Sequence, residues 1–354
     1  LRKKSAATKE NLDFLSLETL SQTLYYLEKN YVEPEKTTLS QSIQKAIEGI
    51  TQSLDPHTLL LPPASYSQLT MHTKGRFGGI GIIISQENKG LIIVSTIENS
   101  PAQKAGILVK DEIIAIDKIA VKQMTSAQIL NKMRGLPGSK IELKIKRAGR
   151  KKALTLKIIR DLIKMRSVLD YELGSKIVLI KISSFQENTA QDLRSLLKKK
   201  RKLIKGLILD LRNNPGGLLD QAVAVADIFI EKGLLLSTIG RDPDEIQREF
   251  ATSKHTYKKL PLIILINEGS ASASEIVAGA LQDHKRALIL GTKSFGKGSV
   301  QTLIPLSDGS ALKLTIARYY TPNNRSIQAQ GISPDITVNK IIKIKAKEQI
   351  REKD

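Results

Sequence analysis

Residues 262–283 read LIILINEGSASASEIVAGALQD. The opening run is continuously apolar and rich in isoleucine, which predicts a strand covered on both faces. A turn of small residues follows, and then a helical segment, SASEIVAGALQ. Ser272 and Glu275 stand in the S-x-x-E spacing of a capping box, a signature of a helix start. Strand, tight turn and helix in this order predict an α/β core.

The pattern extends to both sides. KIVLIKI (176–182), GLILDL (206–211) and ALIL (287–290) read as further buried strands, and NTAQDLRSLLKKK (188–200) and GLLDQAVAVADIFI (217–230) as helices. The core therefore spans 161–340. Ahead of it, 74–160 is short strands with glycine turns, two short helices at SPAQKAGI and AQILNKMRG, and a closing hairpin with Ala-Gly at its turn. Residues 1–73 are helical, with LETLSQTLYYLEKNY and LSQSIQKAIEGITQSL broken by the prolines of LDPHTLLLPP. Residues 341–354 form a charged tail.

The 354 residues are 41% hydrophobic and 26% charged, as expected of a globular protein of several domains. Aromatic residues make up 4% with no Trp, which speaks against base-stacking modules and so against a nucleic-acid partner. The net charge of +21 gathers at KRAGRKK (146–152), KKKRK (198–202) and KIIKIKAK (340–347). These read as solvated lysine faces, although attraction to an anionic membrane surface is compatible with them. Without cysteine there are no disulfides, thiolate metal sites or cysteine nucleophiles. No apolar run reaches 18 residues. The chain opens on Leu1, which leaves room for a lost signal peptide or anchor.

A serine at a helix N-terminus lies beside unpaired N–H groups that can hold an oxyanion. Ser270, Ser272 and Ser274 all qualify, and each needs a base. None of the four histidines (His57, His72, His255, His284) stands in an evident arrangement with a serine and an acid. A lysine is the remaining option, since Ser–Lys pairs perform triad chemistry. Its amine must lose about three pKa units, or ~4 kcal/mol, to be neutral at pH 7, a shift that apolar burial supplies.

GTKSFGKGSVQ (291–301) offers such a lysine. Its first seven residues match a phosphate-binding loop, but Gly298 stands where a hydroxyl is required, and the following GSVQTLIPL reads as a strand where that loop needs a helix. Lys297 has small neighbours that let it tuck under the turn; Lys293 is the decoy. Positions 297, 299 and 301 of a strand share a face, so Gln301 would orient the amine. LDLRNNPGGLL (209–219) supplies a glycine turn for a second oxyanion donor.

Together, SASASEI, a lysine 25 residues after Ser272 in GKGSVQ, the upstream LRNNPGG, LDPHT, FGGIGI and GISPD resemble the carboxyl-terminal processing (tail-specific) proteases over residues 15–340. The resemblance implies a crotonase-like α/β peptidase core, Ser272 as nucleophile, Lys297 as general base and Gln301 as the third member. It makes the Ala273 N–H one oxyanion donor and Gly216 or Gly217 the other, with Glu275 in support. Pro215 stands where many members have glycine. The 74–160 segment then resembles a PDZ domain, with Phe77, Gly78, Gly79, Ile80, Gly81 and Ile82 as its peptide-binding loop. Gly78, Gly79 and Gly81 would free N–H groups, and Ile80 and Ile82 would line an apolar pocket. The implied activity is serine endopeptidase cleavage near the C-termini of unfolded or precursor proteins in the periplasm, with no metal or cofactor. An adaptor, a homo-oligomer or a peripheral membrane contact would be compatible. The rival reading is a non-catalytic PDZ scaffold on a degenerate core.

Overall fold

The computed structural model describes residues 2–87, 90–150, 152–242, 244, 246–252 and 256–338. Two compact units divide the chain: Leu1–Tyr66 with Val300–Ala317, and Ser67–Ser299 with Arg318–Asp354. His255 and the 341–354 tail lie outside the described residues.

The first unit holds helices Arg2–Asn30 and Leu39–Gln52. After them the LDPHT turn is organised by Asp55. Its Oδ1 accepts the N–H groups of His57 (2.7 Å) and Thr58 (2.8 Å), and its Oδ2 accepts the Thr58 hydroxyl (2.7 Å). This is an Asx-type turn, a local substitute for a backbone bond. The strand Leu59–Leu61 that follows pairs antiparallel with 311–313, and the Thr315 N–H reaches Thr58 Oγ1 at 3.2 Å.

In the second unit, the β-rich segment forms a sheet in the order Ile82–Glu87, Gly90–Thr96, Glu112–Ile116, Lys140–Lys146, Leu154–Ile159. KIELKIK shows why it folds. Ile141, Leu143 and Ile145 point inward at 1% exposure or less, and the charged residues between them face out. The helix Ser126–Met133 closes this core with Ile129 and Met133, and a capping box between Thr125 and Gln128 starts it. Asp111, buried just ahead of the middle strand Glu112–Ile116, takes a two-pronged bond from Arg147 (2.8 Å each). Thus one residue of the KRAGRKK cluster belongs to an internal ion pair. In KKKRK, Lys200 likewise pairs with Asp170 (2.9 Å) and Glu172 (2.7 Å).

The ribbon Arg76–Gly79 with Asp161–Lys164 runs into the α/β segment. There the sheet order is Val168–Glu172, Ile177–Ile182, Gly206–Asp210, Leu262–Ile266, Leu288–Gly291, Ile336–Thr337. All neighbours are parallel except the first pair. The helix Ala273–Asp283 is buried on every side from Ala273 through Leu281. Its small residues permit this: a Cβ at Gly279 would stand 2.8 Å from the Thr321 side chain. Three adjacent parallel strands, ending at Asp210, Ile266 and Gly291, discharge their loops at the same carboxyl edge of the sheet. That edge is where open α/β sheets bind ligands.

Candidate active site

The middle strand delivers Asn267–Ser272. Two of its candidate serines are structural. Ser270 is fully buried; its hydroxyl donates to Leu211 O (2.8 Å) and accepts the Asn267 N–H (3.0 Å). Ser274 is also fully buried and donates to Asn214 O at 2.9 Å. Ser272 alone of the three is partly exposed, and its φ of 55° and ψ of −116° are strained for a residue with a Cβ. Strain of this kind costs about 1–3 kcal/mol and persists only where surrounding contacts enforce it.

Those contacts come from Glu275, fully buried in the first turn of the helix. Its Oε2 accepts the Ser272 N–H at 2.7 Å, half of the capping box expected from S-x-x-E. The same oxygen accepts the Lys297 N–H at 2.9 Å. Oε1 accepts the Gly296 N–H (2.7 Å) and the Ser294 hydroxyl (2.6 Å). One carboxylate thus binds the serine turn to the lysine loop.

The lysine loop is held throughout. From Ser294 to Gly298 every backbone N–H meets a protein acceptor: Ile332 O, Ser270 O, Glu275 Oε1, Glu275 Oε2 and Gln328 Oε1. No cradle of N–H groups is left there for a phosphate. The strand Ser299–Pro305 follows, not a helix, so the phosphate-loop reading fails on both counts. Lys297 is partly buried and Lys293 is exposed. The GISPD segment closes over the loop, with the Ile332 N–H on Ser294 Oγ (2.7 Å) and Asp335 Oδ2 accepting the Ile289 N–H (2.8 Å).

The strand start at Ser299 also corrects the phase argument for Gln301. Lys297 precedes the ladder, so alternation along the strand does not put the two on one face. Gln301 belongs to the first compact unit and Lys297 to the second.

The glycine loop comes from the strand Gly206–Asp210. Asp210 receives three bonds from Arg212, its N–H (3.0 Å), Nε (2.8 Å) and Nη2 (2.8 Å), which fix the chain as it leaves the sheet. Asn214, fully buried, accepts the Ala271 N–H (3.0 Å) and the Ser274 hydroxyl (2.9 Å) on its carbonyl, seating the loop against the serine turn. Its side chain accepts the Gly216 N–H at 2.9 Å. Gly216 is therefore already committed, whereas Gly217 and Ala273 keep N–H groups without an acceptor among the described residues. Gly216 has φ 105° and lies so close to the serine turn that a Cβ on it would stand 2.8 Å from Ser272 Cβ.

His284 caps the helix Ala273–Asp283, and its Nε2 pairs with Leu234 O at 2.7 Å. His72 is held neutral-leaning by burial and then by the Arg134 charge, and His57 lies in the Asx turn of the first unit. Among the described residues no acidic or histidine cluster could hold a metal, and no helix is long and apolar enough to cross a membrane.

In the β-rich segment, Phe77 carries the Arg134 guanidinium 5.8 Å from its ring centre. Gly78 and Gly79 pair with Leu162 and Asp161. Ile80 is 1% exposed and packs into the domain core rather than lining an open pocket; its carbonyl accepts the Ala102 N–H at 2.9 Å. Gly81, at φ 76°, accepts the Ile97 N–H (2.9 Å) and the Ser100 hydroxyl (3.2 Å) on its carbonyl. Ile82 begins a strand that ends the sheet order and among the described residues is paired on one side only, by Gly90–Thr96. An edge of this kind can accept one more strand.

Comparison with known proteins bears on both segments. The peptidase family S41 model matches residues 176–338, and the PDZ domain model matches 78–158. A carboxy-terminal-processing protease of Bartonella bacilliformis is 47% identical over 301 residues, covering 84% of this chain and 69% of that one. A probable CtpA-like serine protease of Staphylococcus epidermidis is 37% identical over 341 residues, covering 95% and 68%. Among solved structures, the photosystem II D1 C-terminal processing protease superposes with a TM-score of 0.53 at 30% identity, covering 90% of this chain and 86% of that one.

Proposed function

This chain belongs to the carboxy-terminal-processing proteases of peptidase family S41, serine-type peptidases with a PDZ domain, and from that membership we propose that it cleaves protein chains near their C-termini with a Ser272–Lys297 pair. The observation that carries the reading is the shared Glu275 oxygen, which ties the backbone of a strained, partly exposed serine to that of a lysine.

The neutral Lys297 amine takes the Ser272 proton as Oγ attacks the scissile carbonyl. The N–H groups of Ala273 and Gly217 receive the developing oxyanion, where each donor is worth about 10²–10³ in rate. Lys297 then protonates the leaving amine, and water resolves the acyl-enzyme. Gln301 is the proposed third member, on the strength of the family resemblance alone. The open edge of Ile82–Glu87 takes the apolar tail of an unfolded or precursor protein as an added strand. An extracytoplasmic, periplasmic setting goes with this reading.

The test is incubation with an unfolded substrate bearing an apolar C-terminal tail, with tail peptide added in a parallel arm. Cleavage that Ser272→Ala abolishes supports the proposal. A substrate left whole in both arms supports the scaffold reading instead.

A further inference from the structure

We propose that Tyr319 is a positioning residue of the peptidase site, its phenol and its N–H fixing the lysine loop beside the serine turn. The proposal rests on the Ser272–Lys297 reading above.

Tyr319 lies on the strand Ala311–Tyr320 and is 1% exposed. It grips the lysine loop twice. Its N–H donates to Gly298 O at 3.0 Å, and its phenol O–H donates to Lys297 O. Lys297's own N–H is on Glu275. The backbone of the base is therefore pinned at both its N–H and its carbonyl, by a helix on one side and a strand on the other.

The phenol also lies near enough to the Ser272 side chain to be influenced by it. A phenol has one hydrogen and two lone pairs; with that hydrogen on Lys297 O, its lone pairs are what it can offer a neighbouring hydroxyl. Burial first, and the nearby Glu275 charge second, push the phenol's ionisation far above the usual tyrosine range, against the opposing effect of Ser272. The group stays a donor at every working pH, so it positions without exchanging protons.

A bulky ring in an apolar strand would pack equally well as phenylalanine, so Tyr319→Phe isolates the hydroxyl. We expect kcat to fall about 10- to 100-fold, as for a small displacement of reacting groups, with KM and the thermal midpoint close to the parent's. The rate at which a fluorophosphonate labels Ser272 should fall in parallel. A kcat and labelling rate within twofold of the parent would overturn the proposal. Should Tyr319→Phe fail to fold, 4-aminophenylalanine at 319 keeps a hydrogen-bond donor at the same place on the ring. It should keep kcat and the labelling rate within about tenfold of the parent; a folded variant that loses about 100-fold or more would overturn the proposal. Failure of the underlying pair is seen separately, as a parent that labels elsewhere than Ser272 or a Lys297→Ala variant that keeps parental activity.

Discussion

The backbone N–H groups of Ser272 and Lys297 converge on a single oxygen, Oε2 of Glu275, at 2.7 and 2.9 Å. These residues are 25 apart in sequence and lie on loops from neighbouring strands. Their meeting on one buried acceptor fixes the spacing between the two backbones, which gives the proposed nucleophile and base the preorganisation that catalysis requires.

Glu275→Gln should therefore damage both fold and activity. An amide has one acceptor oxygen and presents an NH₂ to donors that need acceptors. Stability should fall by about 1–3 kcal/mol for the buried donors left unmet, and kcat/KM by about 100-fold for the displaced pair. Thermal unfolding and peptide hydrolysis measure the two; a variant as active as the parent would mean that the clamp is dispensable.

Among the serines the expected effects separate. Ser270→Ala and Ser274→Ala each remove a buried hydroxyl with protein partners, at about 1–3 kcal/mol. They should lower the unfolding midpoint while leaving fluorophosphonate labelling intact. Ser272→Ala should do the reverse. Loss of labelling in Ser270→Ala with an unchanged midpoint would reassign the nucleophile.

Gly216→Ala puts a methyl group 2.8 Å from Ser272 Cβ at a φ of 105°. It should cut kcat by at least about 100-fold by displacing the serine turn. Gly106→Ala is the control. Gly106 also has a positive φ, of 75°, but open space where the Cβ would stand. It should cost about 1 kcal/mol of stability and leave kcat alone. Equal kcat losses in the two variants would point to general backbone strain.

The PDZ domain should be acid-labile through Asp111. Burial pushes that carboxyl up, but the Arg147 hydrogen bonds, the Leu108 N–H and the Arg147 charge together hold it below its usual value. A depressed carboxylate contributes stability that is complete above its unfolded pKa of about 4 and is lost as pH falls through the folded value. Asp111→Ala removes both carboxylate bonds of Arg147 and the acceptor of the Leu108 N–H, leaving Arg147 on the Gly106 carbonyl, and should cost about 1–3 kcal/mol at pH 7. The variant's midpoint should drop toward acid less steeply than the parent's, and parallel pH profiles would contradict the assignment.

The core was legible because its strands are unbroken apolar runs and its helix starts carry local signals. LIILI and SASEI need no partner to be read. Strand 246–250 went unread because IQREF is polar and mixed, and strand 234–239 because its apolar start LLL lies close behind the helical run before it and its pairing is set by distant residues. In the candidate site, the S-x-x-E spacing marked the helix start at Ser272 and Glu275, and Lys297 was singled out by the family resemblance. It gave no sign of Asn214, Asp210, Arg212 or Tyr319, whose roles rest on bonds between distant segments; a buried tyrosine in ALKLTIARYY reads as packing. Gly216 and Gly217 were indistinguishable until the Asn214 side chain was seen to occupy the first. Nor could the glycine run around Ile80 show that its side chain turns into the core.

The decisive measurement is intact-mass and peptide mapping after fluorophosphonate treatment, on the parent and on Lys297→Ala, both with an apolar-tailed peptide present. The Ser272–Lys297 assignment predicts a single adduct on Ser272 in the parent and, in a folded Lys297→Ala, labelling slower by several orders of magnitude, since nucleophile and base act as a unit. An adduct on another residue, or a Lys297→Ala variant that labels at the parental rate, would contradict it.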